Sequence, residues 1–301
     1  MIRHERKFIL VGLGEILWDM LPNGKQLGGA PANFAYHTQA LGGQGVVVSC
    51  VGDDALGQEI MKRLDELGLD RSYIPVDKNH PTGTVTVELD EYGKPDYTIH
   101  ENVAWDFIPS DPRLAELAAR TDAVCFGSLC QRSEFSHRAV CDFLQATRPD
   151  CIRVFDINLR QAYFSKEIVS TMLELSNVLK LNDEELPVVA DLLGLAGSED
   201  RIFVQLMKNY ALRMIALTRG AHGSRLCAHG QNSEHRGFPA RIADTVGAGD
   251  SFAAAITLGL LHGRTLTGIN EFANRLASFV CSQPGATPRL PDKLAGEFGL
   301  S

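Results

Sequence analysis

A chain of 301 residues with 45% hydrophobic and 22% charged residues has the make-up of an ordinary globular protein with a substantial core, in one large domain or two smaller ones. Its net charge of -8 argues against a nucleic-acid binder, which shows a basic face, yet leaves room for a phosphorylated ligand held by local cations and Mg²⁺. The 7 cysteines are scattered and free of Cys-x-x-Cys spacing, which points to buried thiols of a reducing compartment and away from disulfides or a zinc site.

In chain order, the charged start Met1 to Lys7 leads into Phe8-Ile9-Leu10-Val11, too short an apolar run for a signal peptide. No other run could span a membrane, so the expectation is a cytoplasmic protein. The run reads as a buried strand entering a turn at Gly12-x-Gly14. A dinucleotide fingerprint would need a third glycine where Leu17 stands, which argues against an NAD-dependent oxidoreductase. Glu15 and Asp19 follow, then Gly28-Gly29 and an Ala-rich helix from about Pro31 to Leu41. Val46 to Val51 reads as the next buried strand and Asp54 to Leu67 as an amphipathic helix. Between Thr82 and Ile99, Val85, Val87 and Leu89 alternate with Thr84, Thr86 and Glu88, and Glu91-Tyr92-Gly93-Lys94 forms a turn before Tyr97-Thr98-Ile99. Period two with one polar face predicts an antiparallel hairpin.

After Pro109 and Pro112, strands are expected near Ala123 to Phe126, Ile152 to Phe155, Val178 to Leu181, Met214 to Leu217 and Ser224 to Cys227. Helices are expected between them, near Arg113 to Ala119, Ser136 to Ala146, Lys166 to Ser176, Glu184 to Leu193 and Asp200 to Tyr210. The alternation predicts an α/β fold, a parallel sheet covered by helices on both faces. Without internal repeat, low-complexity stretch or linker, residues 1–301 read as a single domain.

Ligands of open parallel sheets bind beyond the carboxyl ends of the strands. Glu15 and Asp19, Asp156-Ile157-Asn158-Leu159-Arg160, Asn182, and Thr218-Arg219-Gly220 each follow a different expected strand, so one edge can collect them. The last long apolar run is preceded by Asp244-Thr245-Val246-Gly247-Ala248-Gly249-Asp250. Gly247 and Gly249 let backbone N–H groups approach a ligand closely, and a helix opening there offers unpaired N–H groups and a positive dipole end, an anion hole. Asp250 at its rim can take a proton from a hydroxyl that attacks a phosphoryl group held there. In the plainer alternative, Asp250 caps a helix and the glycines make a turn.

The 244–250 stretch, Asp-Thr-x-Gly-Ala-Gly-Asp, resembles the C-terminal signature of the ribokinase-like (PfkB) carbohydrate kinases. Gly28-Gly29-Ala30-Pro31-Ala32-Asn33-Phe34-Ala35, ending in Leu41-Gly42, resembles their N-terminal signature, with Ala40 where Arg is common. The resemblance runs from about residue 8 to about residue 290. It implies a ribokinase-like three-layer α/β/α sandwich with a mainly parallel central sheet and a small β-sheet lid built from segments about 14–30 and 82–108. It also implies ATP-dependent phosphorylation of a sugar hydroxyl. Asp19, Gly28, Gly29 and Asn33 would then bind the sugar, with Asp250 as base. The N–H groups of Gly247, Ala248 and Gly249, with Arg160, would hold the transferring phosphoryl group. Asn182 and Glu185 would sit near Mg²⁺, through water, although their spacing is also that of a capping box; Arg160 reads alternatively as a surface residue. Thr218, Gly220, Gly223 and Asn274, with Gly247 and Gly249, would line the adenine nucleotide, and Asp244 with carbonyls near Val246 and Gly285 would take a monovalent cation such as K⁺.

Gly14-Glu15, Trp18-Asp19 and Asp156-x-Asn158-x-Arg160 look most like the fructokinase branch; ribose, 2-keto-3-deoxygluconate and nucleosides stay open as substrates. No clear cationic cluster suggests a phosphorylated sugar. A non-catalytic sugar or nucleotide sensor is the alternative from another class. The implied partners are a small sugar and ATP, with no nucleic acid or membrane, and the hairpin's exposed edge suggests a homodimer through the lid.

Overall fold

The structure, a computed structural model, describes residues 6–21, 24–89, 95–228 and 230–297; the expected turn at 91–94 lies outside the described residues. The first part of the chain forms β1 (Ile9–Leu13), β2 (Leu17–Leu21), β3 (Gly24–Gly28), α1 (Ala30–Ala40), β4 (Gln44–Val48), β5 (Val51–Gly52), α2 (Ala55–Glu66), β6 (Asp70–Tyr73), β7 (Val76–Asp77), β8 (Thr84–Leu89) and β9 (Pro95–Ile99). Strand and helix then alternate through α3 (Pro112–Arg120), β10 (Ala123–Phe126), α4 (Glu134–Ala146), β11 (Ile152–Asp156), α5 (Lys166–Leu175) and β12 (Val178–Asn182). After α6 (Glu185–Leu193), α7 (Glu199–Asn209), β13 (Met214–Thr218), β14 (Ser224–Ala228) and β15 (Gln231–His235), the chain closes with α8 (Ala248–Leu261), α9 (Leu266–Cys281) and α10 (Asp292–Ala295).

Among the described residues, nine strands make the central sheet in the order β15-β14-β13-β12-β11-β10-β1-β4-β6. It is parallel from β6 to β13, as the alternation predicted, and the β14–β15 hairpin extends it antiparallel at one edge. Gln231-Asn232-Ser233-Glu234 has no apolar pattern, so that edge strand carries no signal in the sequence. The parallel strands are apolar on both faces because both are covered. Leu10, Cys125, Val154 and Ala216 face Phe34 of α1 and the apolar residues of α8 and α9. Val11, Phe126, Phe155, Leu179 and Leu217 face α3 to α7 across the other layer. The result is the three-layer α/β/α sandwich expected above.

A second sheet of four strands, β3-β2-β8-β9, stands beside the carboxyl ends of the central strands. The β8–β9 pair is antiparallel, as expected, while β2 and β8 run parallel through the register Trp18–Thr84. Leaving β1, the chain enters this small sheet before reaching α1, so Gly12-x-Gly14 is not the strand-to-helix turn that a dinucleotide site uses. The base of the small sheet is tied to the main body by Arg132, which pairs through two N–H groups with Asp106 at 2.8 and 2.9 Å. Its guanidinium lies between the rings of Trp105 and Tyr163, 4.1 and 4.7 Å from their centroids. Among the described residues, no helix is long and apolar enough to cross a membrane.

Helix starts show where donors are spent and where they are kept. Asp54, Asp111, Ser165, Ser198 and Thr265 each accept a backbone N–H at the start of α2, α3, α5, α7 and α9. By contrast α1 and α8 begin at Gly29 and Gly247, which bring no side-chain cap and have φ of 108° and 79°. Their N-terminal N–H groups have no side-chain acceptor; at α8 the Ala248 N–H makes only a long 3.4 Å bond to the Thr245 carbonyl.

Candidate active site

Both glycine-started helices point into the cleft between the two sheets. Gly29 is required because a Cβ there would stand 2.5 Å from the Glu15 carbonyl oxygen, on a backbone that side chains rarely adopt. Gly247 is required for the same two reasons: its Cβ would meet the Ala286 carbonyl oxygen at 2.6 Å. Asn33 in the first turns of α1 reaches across to α8, its Nδ2 donating to Asp250 Oδ2 at 2.8 Å. Asp19 comes from β2, its carboxylate lying where a Gly28 side chain would otherwise sit, 2.5 Å from that position. The structure thus collects Asp19, Gly28, Gly29, Asn33 and Asp250 from both ends of the sequence.

Charge in the cleft is predominantly negative and poorly hydrated. Burial raises the Asp250 carboxyl to about 6; Asp156 pushes in the same direction, while Asn33, Lys180 and Arg160 oppose it. Asp19 is raised to about 6, by burial and then by Asp244, against Arg160. Glu15 is raised to about 7, again chiefly by burial, with Asp250 adding repulsion and Arg160 opposing. Arg160 therefore faces all three carboxylates. It follows β11 in a strained loop, with Asn158 and Gln161 at φ of 44° and 46°, and its guanidinium is exposed, bonded among the described residues only to the Leu159 carbonyl at 3.0 Å. The same loop holds the small sheet: Gln161 Nε2 donates to the Tyr97 carbonyl at 2.8 Å, and Tyr163 donates to Glu101 at 2.7 Å.

Beneath the start of α8 lies Lys180, buried in the middle of β12. Its Nζ pairs with both oxygens of Asp156 at 2.8 and 2.9 Å. Burial alone would lower its pKa, but Asp156 outweighs this and holds it above the ordinary lysine value. A Cβ on Gly249 would come within 3.2 Å of Nζ, so the glycine is what lets the ammonium stand directly under the helix start. The helix N-terminus and this cation together make the anion hole deeper than the sequence suggested.

Asn182 and Glu185 form the reciprocal cap that their spacing allowed. Asn182 Oδ1 accepts the Glu185 N–H at 2.8 Å and Glu185 Oε2 accepts the Asn182 N–H at 2.8 Å, while Glu185 Oε1 takes the Leu159 N–H at 2.9 Å. Burial raises the Glu185 pKa, opposed by Lys180. Thr218 sits opposite Asn182 in the register of β12 and β13. Gly220 and Gly223 follow it with φ of 52° and 85°, and a Cβ on Gly223 would strike the His235 carbonyl at 2.0 Å. Asn274 lies below this corner with its Nδ2 spent internally, on Ser224 Oγ at 2.7 Å and the Asn270 carbonyl at 2.7 Å, which leaves only its oxygen for a ligand. Asp244 ties two loops together, its oxygens accepting the N–H groups of Val246 and Gly285 at 3.0 and 3.1 Å.

Lys180 and Gln161 escaped the sequence reading, and Glu15 was noted there without a role. A lysine inside Val178-Leu179-Lys180-Leu181 was the available signal, since a cation in a strand buried on both faces needs a partner. Nothing in the sequence marks Gln161, whose contact depends on where β9 passes.

Comparison with known proteins matches residues 22–293 to the family described as pfkB family carbohydrate kinase. The fructokinase of Escherichia coli is 29% identical, the match covering 93% of this chain and 95% of the relative. Among solved structures, fructokinase with bound ATP from Xylella fastidiosa superposes with a TM-score of 0.84 at 20% identity, covering 98% of each chain. Fructokinase from Vibrio cholerae O395, in its fructose-, ADP- and calcium-bound form, gives 0.78 at 24% identity, covering 95% of this chain and 96% of that one.

Proposed function

This chain belongs to the pfkB family of carbohydrate kinases and is an ATP-dependent carbohydrate kinase; from that premise we propose fructose as its acceptor. The observation that carries the mechanism is the meeting of Asp250, Asn33 and the uncapped start of α8 in one cleft. A sugar hydroxyl seated against Asp250 gives its proton to the carboxylate as its oxygen attacks the terminal phosphorus of ATP. Asn33 holds that carboxylate in place. The N–H groups of Gly247, Ala248, Gly249 and Asp250, with Lys180 below and Arg160 above, face the charge that builds on the transferred group. Asp19 and the backbone at Gly28 and Gly29 take the remaining hydroxyls, and Thr218, Gly220, Gly223 and Asn274 receive the nucleotide.

The substrate class follows from charge. Glu15, Asp19 and Asp250 converge on the sugar end, an environment that accepts an uncharged polyol and repels a sugar phosphate. Identity of 29% to a fructokinase over 93% of the chain favours fructose among uncharged sugars. The same reading gives the small sheet the role of a lid, braced by Gln161, that excludes water from the phosphoryl transfer.

For Mg²⁺ the donor set fits indirect binding. Each oxygen of Glu185 already accepts a backbone N–H and Asn182 Oδ1 accepts two, leaving lone pairs suited to water ligands of the ion. The ion, when bound, offsets charge on the phosphates. Asp244 and the carbonyls near Val246 and Gly285 are the corresponding candidates for K⁺. The small sheet is the candidate surface for a homodimer, although Gln161 and Tyr163 already take the Tyr97 and Ile99 carbonyls along the outer edge of β9; light scattering tests it, and a lone monomer peak removes it.

The deciding experiment is ADP release with Mg²⁺-ATP across fructose, ribose, 2-keto-3-deoxygluconate, adenosine and fructose 6-phosphate. Turnover with fructose well above the other acceptors supports the reading. Preference for another sugar overturns fructose, and binding without ADP release on the whole panel favours a sensor.

A further inference from the structure

Next to Asp250 the structure leaves two buried oxygen acceptors without a donor. Glu15, the second residue after β1, is 2% exposed, and its Oε2 has no hydrogen-bond partner. Asn33 is equally buried at 2%; because its Nδ2 is committed to Asp250, the amide orientation is fixed and Oδ1 is left orphaned. Buried polar atoms in folded proteins are almost always satisfied, so a pair of orphans beside a reaction centre marks the place of a missing partner. The two belong to one spot. The Glu15 carbonyl oxygen lies 2.5 Å from where a Cβ on Gly29, the residue that opens α1, would stand, and Asn33 is in the first turn of that helix. Glu15 is also near enough to Asp250 for the two carboxylates to repel.

With Glu15 ionised, both orphans accept and neither donates, which specifies the ligand group. Two O–H donors on neighbouring carbons satisfy them together, whereas an ether, a ring oxygen or a phosphate satisfies neither. We infer that Glu15 is a sugar-binding residue which, with Asn33 Oδ1, receives a vicinal pair of hydroxyls and so sets which acceptors are recognised. The assignment rests on the kinase reading, since it places the diol beside the hydroxyl that Asp250 deprotonates. It adds a residue outside the Asp19, Gly28, Gly29 and Asn33 set, and it explains why a carboxylate is kept buried against its own electrostatic cost.

The test is a cycle between a side-chain change and a hydroxyl deletion, run on the intact chain. Glu15→Gln keeps the shape but removes the charge and replaces one acceptor oxygen with an NH₂ donor. The acceptor is whichever sugar of the panel the wild type phosphorylates, and its monodeoxy analogues supply the deletions. Expected is a KM for that sugar at least tenfold higher in Glu15→Gln, with KM for ATP within twofold. One deoxy analogue should lose tenfold or more in kcat/KM with the wild type and little further with the variant. Glu15→Asp, which keeps the charge but withdraws it by one methylene, should raise the sugar KM likewise and serves if Glu15→Gln folds poorly. Losses that add for every analogue, or equal rises in both KM values, would make Glu15 a support for α1 alone and overturn the inference. If the wild type turns over no sugar at all, the kinase reading fails first, and that result is separate from the cycle.

Discussion

Replacing Asp250 by asparagine is expected to cut turnover by orders of magnitude while making the folded chain more stable. Burial and the Asp156 charge raise the Asp250 carboxyl from 3.8 to about 6. For a raised carboxyl the folded chain holds its proton more tightly than the unfolded chain, so the penalty is absent at low pH, grows as pH climbs through that window and is complete above it. At about 1.4 kcal/mol per pH unit the full penalty at neutral pH is at most about 3 kcal/mol, and the solvent contact of this half-buried side chain reduces it to about 1–2 kcal/mol. Asparagine keeps an oxygen for the Asn33 Nδ2 and carries no charge, so it should recover most of that amount. In a chain of this length the gain corresponds to a rise in Tm of about 2–3 °C at pH 7, shrinking to about a fifth of the energy at pH 4. Thermal melts of both proteins at pH 7 and pH 4, beside ADP release at saturating sugar, measure the two halves together. Loss of the base should cost kcat about 10²–10⁴-fold. A lower Tm for Asp250→Asn at pH 7, or an equal shift at both pH values, would refute the electrostatic argument, and retained turnover would refute the base.

The other expectations concern the ground beneath that carboxylate. Lys180→Met leaves Asp156 buried without its partner and should cost about 3–5 kcal/mol in denaturant titration. Adding Asp156→Asn should restore most of this while kcat stays about 10²–10³-fold down, and full recovery of kcat in the double variant would show that Lys180 only neutralises Asp156. Gly247→Ala places a methyl 2.6 Å from the Ala286 carbonyl oxygen at a φ of 79°, so ADP release should fall with a loss of at least about 1 kcal/mol; wild-type behaviour in both would show that the turn relaxes freely. Because Asp250 must be ionised to take a proton, kcat should fall with a slope approaching one as pH drops below about 6, and a profile flat from pH 7 to pH 5 would remove it from that role.

Much of the architecture was legible from local rules. Runs such as Ile152 to Phe155 and Met214 to Leu217 are apolar without alternation, which only a doubly covered strand explains, and the polar residues just past them mark the working edge. The period-two pattern from Val85 set the hairpin apart from the parallel strands. Strands β3, β6 and β15 were not legible, because Gly24-Lys25-Gln26-Leu27-Gly28, Asp70 to Tyr73 and Gln231 to His235 lack an apolar period and form by pairing with strands already in place.

The candidate site divides along the same line. By itself the sequence determined which residue types stand at which strand ends, and that glycine turns at Gly28-Gly29 and Gly247-Ala248-Gly249 lead into helices. Those are local properties of backbone freedom and helix ends. Only the tertiary structure decided that Asn33 and Asp250, 217 residues apart, share a hydrogen bond. It alone set Lys180 under Gly249 and left Glu15 buried with an oxygen unpaired. Burial and proximity between distant segments shift a carboxylate's pKa or orphan an oxygen, and neither is a property of any short stretch of chain.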